Sequence, residues 1–221
     1  MKKPSAFFAL MLMALMAGAA KQKSNYPEAW WKAVPREEAK SWEILPQDAK
    51  PGEVILSKRT ELGIFSNFAS TAVLIDGKSY ASIEGFWQMM KYPEDAADER
   101  GKFPGLEWKY TRGQVGAMTS FEAKKAGDLA DANMKKMGIN WVTYRGQKLP
   151  YRVSEKGPHY QLIRRAMVAK LAQHQEVMRL LHATGDLVLR PDHNQGSDAP
   201  PAWKYYEIWM ELRADLPKTL K

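Results

Sequence analysis

Hydrophobic and polar residues recur at helical spacing over residues 82–92, which predicts a short amphipathic helix. At about 100° per residue, Glu84, Trp87, Gln88 and Lys91 share one arc of this helix. The opposite arc is apolar and consists of Ile83, Phe86, Met89 and Met90. By itself this pattern is typical of a surface helix with a solvated polar face. Only the rest of the chain can indicate whether this polar face meets solvent or a ligand.

Periodicity and turn residues predict the other elements as well. Ser82 can cap the start of the first helix, and Pro93 ends it because proline has no N–H to donate. Further helices are predicted at about 120–137, 159–182 and 203–214, strands at 53–58 and 187–189, and a hairpin at 71–81 around Asp76-Gly77. Residues 140–156 are poorly patterned. The expected fold is α+β, a helix-rich single domain with a small antiparallel β-sheet.

The N-terminus has the pattern of a secretory signal. Lys2 and Lys3 precede an apolar run over residues 5–20, and Ala17-Gly18-Ala19 offers small residues for cleavage. The run is shorter than the roughly 20 residues that a membrane-spanning helix needs. We therefore expect residues 1–19 to be a signal peptide and the processed protein to be periplasmic or secreted, without a membrane span. If this assignment is wrong, the cytoplasm is the alternative location.

Residues 20–52 combine many prolines with tryptophans. The prolines are Pro27, Pro35, Pro46 and Pro51, and the tryptophans are Trp30, Trp31 and Trp42. This proline density disfavours long regular elements, while the tryptophans disfavour disorder. We expect a segment that wraps the domain and is held by aromatic anchors, although Trp30-Trp31 could also offer a platform to a sugar or base. Residues 53–216 then form the main domain, and 217–221 a tail.

Composition narrows the possible chemistry. The chain has 221 residues and a net charge of +8, which suits an anionic partner, but its basic residues are interspersed with acidic ones. We therefore do not expect nucleic acid binding as the main role. Cysteine is absent, which excludes disulfides, thiolate metal sites and a cysteine nucleophile. The four histidines lack the spacing of a helical zinc motif, so we expect no metal and no cofactor.

Several short motifs follow one another in a particular order. They are Phe65-Ser66-Asn67-Phe68, Asp76-Gly77, Ser82-Ile83-Glu84 with Gln88 and Lys91, the basic stretch 165–170, the Leu-Leu-x-Ala-Thr-Gly segment 180–185, Asp192 and the terminal stretch 210–213. In this order they resemble the NADAR family, the YbiA-like N-glycosidases, over about residues 55–215. The chain departs from the family pattern at Gly85, where the family has histidine, and in the loop that follows Asp192.

The resemblance implies an enzyme, a hydrolase of the N-glycosidic bond between ribose and a base or amine. Its substrate would be a small phosphorylated nucleotide-like molecule (a ribosyl-base, ADP-ribosyl or NAD-like compound), and nucleic acid would be a partner only as an ADP-ribosylated substrate. Such a bond breaks through an oxocarbenium-like state, which needs a carboxylate near the anomeric carbon and a means of activating the leaving nitrogen or the water. Glu84 is the first candidate for the carboxylate and Asp192 the second. Lys91 could hold a phosphate, stabilise ionised Glu84 or attack the sugar as a neutral amine.

The same resemblance supplies candidates for substrate binding. They are Ser66, Asn67, Trp87, Gln88, Arg59 and Trp141. Asn67 would bond the ribose hydroxyls, either tryptophan could stack on the base, and Arg59 could contact a phosphate. If this interpretation is right, Asn67, Glu84, Lys91 and Asp192 should line one cavity.

Two other classes of function stay open on the sequence. The first is a non-catalytic module that binds ADP-ribose or a nucleotide, which Gly85 and the altered loop after Asp192 make plausible. The second is a secreted interaction protein that uses the tryptophan-rich segment 20–52.

Overall fold

The chain folds as an α+β domain, described here by a computed structural model of residues 26–217. The predicted signal peptide, residues 1–19, and residues 218–221 of the predicted tail lie outside the described part. The helices are α1 (Ile83–Met89), α2 (Arg112–Gly116), α3 (Ser120–Lys136), α4 (Pro158–Gln173), α5 (Gln175–Ala183) and α6 (Tyr205–Ala214). The strands are β1 (Glu53–Ile55), β2 (Val73–Ile75), β3 (Lys78–Tyr80), β4 (Trp141–Tyr144), β5 (Gln147–Pro150) and β6 (Val188–Arg190).

Within residues 26–217 the strands form three separate pairs. β2 with β3 and β4 with β5 are antiparallel hairpins, whereas β1 pairs in parallel with β6. The α+β class and the antiparallel pairing are confirmed, and the parallel pair is an addition that the sequence did not predict. It joins the start of the domain to its last third, so that the loop after β6 lies beside the residues that follow β1.

Helix α1 lies at the centre of the fold, packed against α2 and α3. The side chain of Ser82 caps it by accepting a hydrogen bond from the N–H of Gly85 at 2.9 Å. Every residue of α1 is buried, including Glu84 and Gln88. The polar face is therefore not solvated in the manner of a surface helix.

The helix predicted at 159–182 is two helices, α4 and α5, because His174 is extended (φ −126°, ψ 103°). Its Nε2 lies 2.6 Å from the carbonyl oxygen of Ala72. Beside it, the Gln173 amide bonds both the N–H and the carbonyl of Leu74 in β2. These contacts with the hairpin stabilise the extended conformation of His174, so the helix is interrupted although the sequence pattern favours a continuous one.

Residues 26–52 contain short 3-10 turns and pack against the domain. Trp30 is fully buried and donates a hydrogen bond from Nε1 to Glu61 at 2.6 Å. It is therefore a packing residue and not an exposed platform. Trp42 differs, since 39% of its surface is exposed. No helix within residues 26–217 is long and apolar enough to cross a membrane.

Candidate functional site

A cavity of about 590 Å³ opens where α1 meets α3. Its other walls come from the loop at 66–68, the turn at 151–152 and the loop at 193–205. Seven aromatic residues line it: Trp42, Phe68, Trp87, Phe121, Tyr151, Trp203 and Tyr205. Its charged lining residues are Lys58, Lys91, Lys124 and Arg152 with Glu84, Asp128 and Asp131. The mixture of ring faces and both signs of charge suits a polar ligand with a planar group.

Glu84 presents a buried carboxyl group to this cavity. Its Oε1 accepts a hydrogen bond from Nε2 of Gln88, one helical turn away, at 2.7 Å. Burial raises the pKa of Glu84, and the Gln88 hydrogen bond and the positive charge of Lys91 oppose this shift only in part. Glu84 consequently keeps its proton to higher pH than a solvated glutamate, which is what a general acid requires.

Gln88 fits beside Glu84 because α3 carries a glycine at the facing position. A Cβ atom placed on Gly127 would lie 1.8 Å from Oε1 of Gln88. That oxygen is buried and has no hydrogen-bond partner within residues 26–217. Gly127 thus gives α1 and α3 the close approach that seats the amide at the cavity.

Lys91 lies in the turn after α1 and is bound to a carboxylate that the sequence did not single out. Its ammonium donates to Oδ2 of Asp131 at 2.8 Å, and Arg152 donates to the same oxygen at 2.9 Å. The centroid of the Tyr151 ring lies 5.2 Å from Lys91 Nζ and 5.3 Å from Cζ of Arg152. An ammonium paired with a carboxylate donates hydrogen bonds and does not act as a nucleophile, so the geometry favours a charged role for Lys91.

Asn67 connects the neighbouring loop to α1. Its carbonyl oxygen accepts from the N–H of Glu84 at 2.9 Å, and its side-chain Oδ1 is buried without a partner in the described part of the chain. Lys170 supports this loop from below by donating to the carbonyls of Ile64 and Ser66. Burial lowers the pKa of Lys170 to about 7. The loop therefore holds a buried, unpaired acceptor beside the cavity on a fixed backbone.

Asp192 does not line the cavity, which corrects the expectation that it is a second carboxylate there. It lies one layer behind the wall and is 1% exposed. Its Oδ2 accepts from Lys58 at 2.6 Å, and His193 Nδ1 is 3.1 Å from Oδ1. Burial alone would raise the pKa of Asp192, but the hydrogen bonds from His193 and Lys58 outweigh it and the pKa is lowered. Asp192 therefore positions two residues that do line the cavity.

Arg59 and Trp141 lie away from the cavity and contact other groups. Arg59 forms a bidentate ion pair with Glu43 and bonds the carbonyl of Glu38. Trp141 in β4 packs its ring against Lys148, at 4.2 Å, and against Arg100. The structure therefore does not bring these two candidates to the site. It does bring together Ser66, Asn67, Glu84, Trp87, Gln88 and Lys91.

Gly85, the departure from the family pattern, points away from the cavity. A Cβ atom at this position would lie 2.5 Å from the carbonyl oxygen of Met118 and 3.0 Å from that of Val115. No larger side chain fits there without moving the backbone of residues 115–118, at the end of α2 and just after it. Glycine at this position thus reflects how closely α1 packs against its neighbours, and it removes no group from the cavity wall.

Five charged residues at the cavity were not predicted from the sequence. Lys124, Asp128 and Asp131 lie at spacings of four and three on α3, a stripe that marks one helix face. That stripe, with Gly127 inside it, is the signal that could have identified them. No local pattern in the sequence marks Lys58 or Arg152 as a site residue, because strand pairing and loop packing place them at the cavity.

Comparison with known proteins gives one structural similarity. No protein-family model and no curated protein matches the chain. Among solved structures, the NMR structure of the E. coli protein YbiA is similar, with 22% sequence identity. The match covers 82% of this chain and 92% of that chain, with a TM-score of 0.45.

Proposed function

We propose that the cavity binds a nucleotide-like or ADP-ribosyl substrate and hydrolyses the N-glycosidic bond at its ribose. The observation that carries this proposal is the pairing of unlike carboxyl groups at one cavity. Glu84 is buried with a raised pKa, while Asp131 is held by the two cations Lys91 and Arg152. Carboxyl groups in such different environments can divide the roles of proton donor and charge stabiliser.

The proposed reaction uses these groups as follows. Glu84 gives its proton to the leaving nitrogen as the bond from that nitrogen to the anomeric carbon breaks. The carboxylate of Asp131 stabilises the positive charge that develops on the sugar. Water then adds to the anomeric carbon and returns a proton to Glu84. Asn67, which lines the cavity and whose Oδ1 has no hydrogen-bond partner in the described part of the chain, accepts a hydrogen bond from a ribose hydroxyl once its side chain turns toward the substrate.

The test measures base release and ligand binding on the same protein. Wild type is expected to bind NAD or ADP-ribose by calorimetry and to release base from at least one of NAD, AMP and ADP-ribosylated guanosine. Glu84→Gln should retain binding and lose about 10²- to 10⁴-fold in release rate. Glu122→Gln, an exposed residue of α3, is the matched control and should keep full activity.

A second candidate function is binding without catalysis, and the position of Asp192 behind the cavity wall favours it. Binding without base release, in wild type and in Glu84→Gln alike, would replace the hydrolase by this binding module. Export stays a separate prediction. Expression of the full chain followed by N-terminal sequencing tests it, since cleavage after Ala19 is expected and an intact N-terminus contradicts it.

A further inference from the structure

Three aromatic side chains from distant parts of the chain meet at the mouth of the cavity. The ring of Phe121 lies 5.2 Å from that of Phe68 and 5.9 Å from that of Trp42, measured between centroids. Phe121 is 47% exposed and Trp42 is 39% exposed. Large apolar rings are ordinarily buried, so two exposed rings side by side at a cavity indicate a contact surface.

A cation lies beside the same rings. The ammonium of Lys58 is 5.5 Å from the centroid of Trp42 and 5.4 Å from that of Phe68. Asp192 holds it from behind at 2.6 Å, and the side chain is still 31% exposed. The ammonium is therefore fixed in place and reachable from the cavity, which suits the recognition of an anionic group.

We propose that Trp42, Phe68 and Phe121, with Lys58, form a subsite for a planar aromatic ring that carries a neighbouring phosphate. The ring stacks on the exposed faces of Trp42 and Phe121, and the phosphate binds Lys58. This proposal rests on the proposed function. It names the kind of group that the substrate presents at the end of the cavity beyond Asn67. Trp42 makes the segment at 26–52 part of the binding site.

The placement of Trp42 is itself held by tertiary contacts. Its neighbour Glu43 pairs with His193 as an isolated antiparallel bridge and accepts two hydrogen bonds from Arg59. The N–H of Ile44 donates to the carbonyl of Asp192 at 2.8 Å. The segment is thus tied to the loop that carries His193, which lines the same cavity, so Trp42 is presented by a fixed backbone.

The test compares two probes that differ only in the ring, AMP and ribose 5-phosphate. Calorimetry on the wild-type chain should give at least tenfold tighter binding of AMP, the size expected of one stacked base. Trp42→Ala should reduce AMP affinity about tenfold and leave ribose 5-phosphate unchanged, while Trp42→Phe should restore most of it. Phe103→Ala is the matched control, because Phe103 is 40% exposed and lies outside the cavity.

Adenosine tests the cation, since it has the ring without the phosphate. It should bind more weakly than AMP to wild type, and Lys58→Gln should remove that difference. The proposal is overturned if wild type does not bind AMP, if Trp42→Ala binds AMP as wild type does, or if Phe103→Ala loses as much affinity. Unfolding curves of each variant show whether a loss of AMP affinity reflects misfolding. If Trp42→Ala misfolds, Trp42→Phe tests the proposal in its place, because it keeps an aromatic ring and should retain most of the AMP affinity.

Failure of the subsite and failure of the proposed function have different signatures. AMP binding that depends on Trp42, with no base release from any substrate, supports the subsite and contradicts the hydrolase. Base release with AMP binding insensitive to Trp42→Ala supports the hydrolase and contradicts the subsite.

Discussion

Glu84 and Asp192 are both buried carboxyl groups near one cavity, yet their pKa values move in opposite directions. Glu84 is 5% exposed and its direct hydrogen-bond partner is the neutral amide of Gln88. Asp192 is 1% exposed and contacts both Lys58 and His193. Burial raises the pKa of Glu84, while at Asp192 the partners outweigh burial and lower it. The groups that a buried carboxyl group contacts, and not the extent of its burial, decide the direction in which its pKa moves.

These two carboxyl groups give two parts of the cavity wall a different electrostatic character. The α1 side carries a carboxyl group whose pKa is raised by burial. The side formed by Asp192 holds fixed charge and serves to position Lys58 and His193. Variants that exchange or remove these features test this difference.

Asp192→Asn should be the most destabilising change, by about 3 kcal/mol at pH 7, because it leaves the cation Lys58 without its buried partner. The pKa of Asp192 is lowered in the folded protein, so its contribution is fully present above the unfolded value near 3.8. It is lost as pH falls through the lower folded pKa. Urea unfolding at pH 7 and pH 3 measures both effects.

Asp198→Asn, an exposed position of the same loop, is the control for this change and should cost less than about 0.5 kcal/mol. Equal unfolding free energies for the two variants at pH 7 would contradict a supporting role for Asp192.

His159→Phe should remove a source of acid sensitivity behind α1. His159 packs edge-on against Trp87 and Tyr151, and burial, with the charge of Lys91, lowers its pKa to about 4. Between pH 6.5 and 4 the unfolded chain binds more protons at this residue, so the folded state loses about 3 kcal/mol by pH 4. The variant keeps the ring contacts and should lose less stability over that range. Parallel pH dependences of the two proteins would contradict the prediction.

Glu84→Gln should gain stability relative to wild type as pH rises. The raised pKa of Glu84 means that the folded state binds its proton more tightly than the unfolded chain, whose value is near 4.5. Wild type therefore loses stability from about pH 4.5 up through the folded pKa, and glutamine has no charge to bury. Thermal melts at pH 4.5 and pH 8 should show the difference at the higher pH only. A variant that is less stable than wild type at pH 8 contradicts this sign.

Gly127→Ala should cost about 1 kcal/mol, because the clash of the added methyl group with the buried side chain of Gln88 is only partly offset by the gain in helix propensity. The methyl group displaces the amide of Gln88 from its present position, where it donates to Glu84. Since that hydrogen bond lowers the pKa of Glu84, its loss should raise the pKa further and move the pH profile of base release to higher pH. Gly113→Ala, where a Cβ atom meets nothing closer than 4.0 Å, should leave the profile unchanged.

Local rules accounted for much of the fold. The hairpin at Asp76-Gly77 forms with positive φ at both turn residues, 51° and 77°, as the sequence predicts. The helix predicted at 120–137 ends before Gly138, whose φ is +67°. The hairpin of β4 and β5 was missed, although its turn at Arg145-Gly146 also has positive φ. Arginine gives no turn signal, so only the Gly146 position hinted at it.

The sequence by itself determined that Glu84 and Gln88 lie on one side of a short capped helix, because helical spacing and capping act within a few residues. Lys91, which the spacing placed on the same side, lies in the turn that follows the helix. Only the tertiary structure decided what that side meets. Asp131 pairs with Lys91 across 40 positions of the chain, and Asp192 with Lys58 across 134. Such pairings depend on how helices and strands pack together, and local periodicity carries no information about them. The same packing buries Glu84 and raises its pKa, which turned a polar helix face into the wall of a cavity.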